Sequence, residues 1–416
     1  MKRYDLIVIG GGFAGVGAAI SASRRGARVL LVERSNCLGG ASTNCLVNPF
    51  MPYWTEIDGK RVELSQGIFK EICDRLRARG AMDWQSFLEE ELKELLNEMA
   101  LESGVELLFH ATLCKVNRDK NRILSVDVAV KNGILELEAD YFIDATGDAL
   151  LTYLADCPTI QGREGDGLCQ PMTLCFRLGN VDTDAFFKCW SELDKAYKSA
   201  HERGEIINPR ENILVFKTPA PNVLHFNTTR VIRLSPTDPF EITRAEIIAR
   251  KQVFEIYEFM KNHTQGLENS FLMMTASEIG VRESRRIVGD YILTQSDCKE
   301  CVKFDDSIAC CNYDIDIHNP EGSGTSHYYF GAGEYYTIPY RALIPQGVDN
   351  LLVAGRCISS DHEAQASYRI MPVVCCLGEA CGTAMALAIR EKCSTRSLDI
   401  NALQRALLDG GAFIRI

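Results

Sequence analysis

The residues able to do chemistry fall near the two ends of the chain. At the start, Gly10-Gly11-Gly12-Phe13-Ala14-Gly15 follows an apolar run over residues 4–9 and opens an Ala-rich stretch. Gly10 permits a tight strand-to-helix turn, Gly12 lets backbone approach a pyrophosphate, and Gly15 lets the helix pack against the strand. A helix beginning there turns unpaired N–H groups and a positive dipole end toward phosphates. Glu33, about 20 residues on, can accept both hydroxyl protons of an adenosine ribose and would repel a 2′-phosphate. Near the other end, His362 lies in Ser359-Ser360-Asp361-His362-Glu363, with Arg369 seven residues later. A histidine titrates in the range useful for general acid/base work. An arginine there suits a carboxylate or developing negative charge. The bland alternatives are a surface histidine beside two acids and a solvated arginine.

The elements that must position these groups are legible. Strand 4–9, a helix from residue 13, a turn at Gly26 and strand 29–32 ending at Glu33 form a βαβ opening. Residues 139–148 read as an apolar strand closing on Ala145-Thr146-Gly147-Asp148, and residues 351–355 as another buried strand that leads to a small-residue helix near Pro372. Val126, Val128 and Val130 alternate with polar neighbours, Asn132-Gly133 makes a tight turn, and Leu135 and Leu137 alternate with Glu136 and Glu138. This is a hairpin pattern. Asp83 is placed as the N-cap of a helix through Ser103, with Trp84, Leu88, Leu92, Leu95, Leu96 and Met99 inward, and Thr243 with Glu246 as the capping box of another.

The residues just beyond Glu33 identify the dinucleotide. Arg34 and Gly39-Gly40-Ala41-Ser42-Thr43 resemble the second glycine pair of flavoproteins, and 145–148 resembles their Ala-Thr-Gly strand end. With residues 10–33, 38–49, 142–148, 166–177, 278–291, 317–320, 336–345 and 350–372 taken together, the chain resembles the FAD-dependent oxidoreductase family allied to fumarate-reductase-type flavoproteins. The resemblance implies an α/β fold: a Rossmann-like FAD-binding domain, with a central parallel sheet and an antiparallel crossover hairpin, carrying an inserted α+β substrate or cap domain. The FAD domain is expected over 1–154 and 334–416 and the cap over 155–333. It implies FAD contacts at Gly10, Gly12, Phe13, Ala14, Gly15, Glu33, Arg34, Gly40, Ala41, Ser42, Thr43, Leu113, Ala145, Thr146, Gly147, Asp148, Gly355, Arg356, Met371 and Val373.

Departures from neighbouring families narrow the reading. Cys45 stands alone where thiol-disulfide flavoenzymes carry a redox pair, and no second GxGxxG supplies an NAD(P)H domain. The stretch Gly40-Ala41-Ser42-Thr43-Asn44 has no histidine for covalent attachment, so non-covalent FAD is expected. In such an enzyme the protein supplies orientation, proton transfer and electrostatics. His362 and Arg369 are joined as candidates by Arg282, in a segment with Arg285 and Arg286 that is either a domain-interface salt network or a hold on an anionic substrate. Tyr336 and Tyr340, at the return from cap to FAD domain, are core residues or line the substrate. His318 is a weaker candidate.

Charge and cysteine usage set further bounds. The net charge of −11 over 416 residues sets the chain as a whole against nucleic acid and anionic membranes. Met1-Lys2-Arg3 runs straight into the first strand, so no signal peptide, no membrane insertion and a cytoplasmic location are expected. Seventeen cysteines are scattered, which fits reduced buried thiols. Cys298 and Cys301 with Cys310 and Cys311 are the one cluster, and adjacent residues on a strand point to opposite faces, so no metal is expected. The expected activity is hydride exchange between FAD and a small, polar, anionic substrate, with a separate electron donor or acceptor. The alternatives are a fumarate-reductase-like reductase of an activated C=C bond and a redox or electron-transfer protein using Cys298 and Cys301.

Overall fold

The computed structural model describes residues 3–415. β1 (Tyr4–Ile9) and β2 (Val29–Val32) flank α1 (Phe13–Arg24), and the three are buried almost throughout. α2 (Ile68–Ala78) and α3 (Glu89–Glu102) follow. α3 begins five residues later than its apolar spacing predicts. A small ladder pairing Met82–Asp83 with Ser86–Phe87 takes those positions, and Trp84 at its tip has φ 53° and is 68% exposed, a conformation no helix accommodates. Leu92, Leu95, Leu96 and Met99 are in the core as expected.

β3 (Glu106–Leu108), β4 (Thr112–Asp119), β5 (Arg122–Val130) and β6 (Gly133–Asp144) complete most of the main sheet. β6 has two halves with different duties: residues 133–138 pair antiparallel with β5 across the Asn132-Gly133 turn, and residues 139–144 pair parallel with β1. The order is β3-β2-β1-β6-β5-β4. The parallel sheet and the crossover hairpin thus share one strand.

The second unit holds β7 (Phe176–Gly179), α4 (Trp190–Glu202), β8 (Val215–Lys217), β9 (Leu224–Phe226), α5 (Pro239–His263) and β10 (Phe271–Thr275). Its antiparallel sheet runs β8-β9-β7-β10. Phe176 and Phe226 stack at 4.9 Å within the core shared with α4 and α5, while the alternate residues Arg177 and His225 are cross-strand partners on the other face. Arg177 there forms a buried ion pair with Glu89 of α3. α5 starts four residues before the expected capping box. Asp238 accepts from the N–H groups of Phe240 and Glu241, both at 2.9 Å, with Pro239 pre-set for the first turn. Thr243 lies inside the helix, bonded to the Pro239 carbonyl, and Glu246 accepts from Ile279 N instead.

The ribbon β11 (Ile315–His318) and β12 (Thr325–Tyr328) precedes β13 (Leu351–Val353), which pairs parallel with β6. α6 (His362–Tyr368) and α7 (Met371–Glu391) follow. The apolar core of the second unit spans residues 172–279, whereas Leu293, Ile308, Tyr336 and Leu343 pack into the core of the first. By packing, the chain therefore rejoins the first unit well before residue 334.

α7 is apolar and 21 residues long, and it is a core helix, 94% buried over its most apolar stretch. It runs beside α1 in the same direction with no room for larger residues. A Cβ on Gly17 would run into the Cys375 carbonyl at 2.6 Å, and Cβ atoms on Gly378 and Gly382 would run into the carbonyls of Ala14 and Ala18. Both helix N-termini consequently lie at the same end of the sheet.

Candidate functional site

At that end the glycine turn has the expected shape. Gly10 has φ 102°, and its missing side chain leaves space for the Ala145 carbonyl, so the turn presses against the end of β6. A Cβ on Gly15 would strike the Gly10 carbonyl. At Gly12 a Cβ would meet only Gly40 Cα at 4.0 Å, which leaves the approach to the turn open. α1 has Gly12 and α7 has Ile370 as N-cap, and neither receives a side-chain cap. Two parallel helices thus offer uncapped first-turn N–H donors at one end, a fit for a diphosphate at one and an electron-rich ring oxygen at the other.

Glu33 is 7% exposed and pinned, accepting from Gly11 N at 2.6 Å and Ser35 N at 2.8 Å. Each carboxylate oxygen keeps a lone pair for a ribose hydroxyl. Gly39 N bonds the Gly11 carbonyl at 2.8 Å and brings Gly40 over Gly12. Ser42 and Thr43 donate to the carbonyls of Gly39 and Leu38 at 2.9 and 2.8 Å, so their hydroxyls hold this second turn and Ala41 between them. Arg34 is already engaged, bidentate to Glu278. Leu113 is buried in β4, on the sheet side where β2 ends.

Beyond β6, buried Asp144 accepts four hydrogen bonds from Thr146 and Thr152. They fix the turn into Gly147, φ 76°, whose absent side chain admits the Arg356 guanidinium. Arg356 and Ser284 both reach Asp148 Oδ1 at 2.6 Å. The Arg356 Nε is buried without a partner, a donor left over beside Gly355. Met371 and Val373 are buried in the first turn of α7.

His362 opens α6, capped by Asp361, and is 5% exposed. Its Nδ1 meets Glu283 Oε1 at 2.9 Å. Glu283, fully buried, also takes Arg286 and the Gln170 N–H. Since the carboxylate only accepts, the imidazole carries its hydrogen on Nδ1 and presents Nε2 as a proton acceptor, which makes no hydrogen bond among the described residues. Gln365, one turn on, donates to the Arg282 carbonyl at 2.8 Å. One face of α6 therefore carries His362, Gln365 and, at its C-cap, Arg369.

Arg282 and Arg369 belong to a larger basic group. Burial, then Arg369, Arg210 and Arg230, pushes Arg282 down to about 9, and burial with Arg210 pushes Arg230 down to about 10. Burial also lowers Arg210. Asp316 lies among them: burial raises its carboxyl, but His318, Arg369 and Arg282 outweigh that and hold it below its ordinary value. His318, buried beside Arg282, is held well below its ordinary value. Arg210 spends only Nε, on Asn212, and Arg282 only Nη1, on Pro171 and Thr173. Their other guanidinium nitrogens are unpaired among the described residues.

The structure thus unites His362, Arg369 and Arg282 along α6 and its neighbours. It does not bring in Tyr336 or Tyr340. Tyr336 is fully buried with its hydroxyl on Ser367 at 2.8 Å, and Tyr340 sits in a short helix, not a strand, with its hydroxyl on the Thr395 carbonyl. Both are core residues: Tyr336 pairs with Cys311 across a buried two-stranded ladder, and Tyr340 follows in the same apolar core. Cys298 is buried and its thiol is pushed well up, the reverse of a reactive thiolate. Sequence reasoning missed Arg210, Arg230 and Asp316. Asp316 and His318 share a strand face with period-2 spacing, a signal that was available. Arg210 sits in an irregular loop and had none.

The fold has known counterparts. The chain matches the FAD dependent oxidoreductase family over residues 5–407 and belongs to it. It is an oxidoreductase with FAD as cofactor. It is 33% identical over 165 residues to the thiamine thiazole synthase of Aeropyrum pernix, a match covering 36% of this chain and 57% of that protein. It is 36% identical over 90 residues to the glutathione reductase of Debaryomyces hansenii, covering 21% and 18%. The matches span less than two thirds of these relatives. Among solved structures, p-nitrophenol 4-monooxygenase PnpA from Pseudomonas putida DLL-E4 superposes with TM-score 0.50 at 10% identity, over 99% of this chain and 85% of that one, a likeness of fold.

Proposed function

We propose that this enzyme exchanges a hydride with a small organic anion held at the junction of the two units, with a separate electron donor or acceptor completing the cycle. The observation that carries this reading is the group of buried and half-buried arginines in which burial and the neighbouring guanidiniums depress Arg282 and Arg230, while Arg210 and Arg282 keep unspent donors. Such a group gains most from a bound carboxylate, and least from a neutral ligand. Non-covalently bound FAD supplies the two-electron chemistry. Gly10, Gly12, Phe13, Ala14, Gly15 and Glu33 would hold its adenosine diphosphate portion, with Leu113 beside the adenine. Gly40 to Thr43, Ala145 to Asp148, Gly355, Arg356, Met371 and Val373 would hold the remainder. Arg34 acts through Glu278, closing the turn against the second unit. Arg282 and Arg369 orient the substrate, and His362, positioned by Glu283, takes or returns the proton at Nε2.

The test is anaerobic titration of the FAD-loaded protein with a panel of small acids, their amides and their amines, followed by flavin absorbance. Acids should perturb or bleach the spectrum, and Arg210→Met or Arg282→Met should abolish that response while FAD is retained. Equal responses to amides and amines would sink the reading.

One observation favours a second reading. An arginine brought to about 9 by burial and like charges is a usable acid, which fits reduction of an activated C=C bond with Arg282 giving the proton. Turnover of unsaturated acids with reduced viologen would select it, and activity with artificial oxidants alone would exclude it.

A further inference from the structure

The second unit turns one helix face to solvent that the site does not use. α5 is 25 residues long. With about 100° of rotation per residue, Phe240 and Phe254 each lie within about 20° of the line through Ile247. These three are 84%, 50% and 54% exposed. The opposite side, with Ala245, Ala249, Val253, Ile256 and Met260, is buried in the core of the unit.

Bases border the apolar line on both sides. Arg244 and Lys251 stand about 40–60° to one side and Arg250 and Lys261 about 40–60° to the other, all exposed. The acids of the helix are largely occupied. Glu246 accepts from Ile279 N and lies 3.8 Å from Arg250, Glu255 accepts from the N–H groups of Ile207 and Asn208, and Glu241 accepts from Ser235 N. Glu258, about 20° from the line, is the exposed acid of this face.

A second copy fits this face poorly. Pairing α5 with itself, in either direction, sets basic flank against basic flank, a like-charge contact on both sides. A convex rod with its apolar residues in one line and bases along both edges instead suits a planar anionic surface, which accepts the apolar line at the headgroup boundary and both flanks at once. The chain's net charge of −11 does not prevent this, because fields reach only about 8 Å at physiological ionic strength, and on the exposed face of α5 four bases stand against one exposed acid, Glu258.

We infer that α5 docks this protein onto the anionic surface of a lipid bilayer, with Phe240, Ile247 and Phe254 entering the headgroup region and Arg244, Arg250, Lys251 and Lys261 bound to its negative charge. The test is co-sedimentation of the full-length, FAD-loaded enzyme with vesicles of phosphatidylcholine alone or mixed with phosphatidylserine, at two salt concentrations. Binding should require phosphatidylserine and weaken with salt. Lys251→Gln should weaken it about fivefold, Phe254→Ser should weaken it further, and turnover in solution should not change. No sedimentation, or variants that bind like the parent, would overturn the inference. So would a concentration-dependent dimer in light scattering that Phe254→Ser abolishes, which assigns the face to a second copy, or binding of an acidic protein without binding of vesicles.

Discussion

His362 and Glu283 meet at 2.9 Å, Nδ1 to Oε1, inside a pocket where the carboxylate is also held by Arg286 and the Gln170 N–H. The imidazole is thereby fixed in one tautomer and one orientation, as second partners fix catalytic histidines. Replacing His362 by Asn should lower turnover by about a hundredfold to ten-thousandfold with the flavin spectrum intact. Glu283→Gln should keep FAD, lower turnover, and shift the pH profile, because an amide can present its N–H to the ring and reverse the tautomer. Stopped-flow reduction of the flavin across pH reads both.

Glu379 lies within α7, 3% exposed, with its carboxylate against Gly67 and accepting the Ile68 N–H at 2.9 Å at the start of α2. Burial pushes it up to about 7. A folded-state value above the unfolded one means that the native protein holds a proton the unfolded chain releases. This contribution is complete below about 4.5 and is lost as pH rises toward 7, on the order of 3 kcal/mol. Glu379→Gln should flatten that part of the stability profile. Denaturant midpoints at pH 5 and pH 8 measure it, and an unchanged slope would contradict the assignment.

The ion pair between Glu89 and Arg177 joins α3 to the second unit's sheet, with both side chains nearly solvent-free. Glu89→Ala leaves a buried guanidinium uncompensated and should cost about 3–5 kcal/mol. Asn48 also donates to Glu89, at 2.9 Å, so the loss should loosen the loop after the second glycine turn and weaken FAD retention. Thermal melts with and without added FAD separate the two effects.

Gly378→Ala should drive a methyl group into the Ala14 carbonyl. Overpacking of this kind costs about 1–3 kcal/mol, and because the displaced turn belongs to α1, FAD content per chain should fall along with the melting temperature. Gly411→Ala, strained by its φ of 84° though a Cβ meets nothing within 4 Å, should lower the melting temperature without lowering FAD content per chain, and serves as the control for flavin content.

The βαβ opening and the cofactor end were legible because their signals are local. Gly10, Gly15 and Glu33 act through turn geometry and a fixed sequence interval, residues 4–9 and the strand from 139 declare themselves as apolar runs, and the hairpin before it by alternation. The helix starts at Glu89 and Pro239 were misplaced where a nearby competitor won: a left-handed Trp84 in one case, an Asp-Pro cap in the other. Arg210 and Arg230 were beyond reach, since their meeting with Arg282 depends on how the second unit's loops fold over the ribbon, and nothing periodic marks it. Tyr336 and Tyr340 failed for the opposite reason: their pattern was visible, but alternation alone cannot say which side of a strand finds the core, and the strand stops at Pro339, before Tyr340.

The glycines where α1 and α7 touch lock two grips into one tool with a fixed span. On the proposed FAD path, the helix that would face the diphosphate could not shift without dragging the one that would face the ring, so the cofactor would be measured end to end. A truncated mononucleotide would fill one jaw and leave the other idle. Selection for the full-length molecule would then come from the seam between two helices.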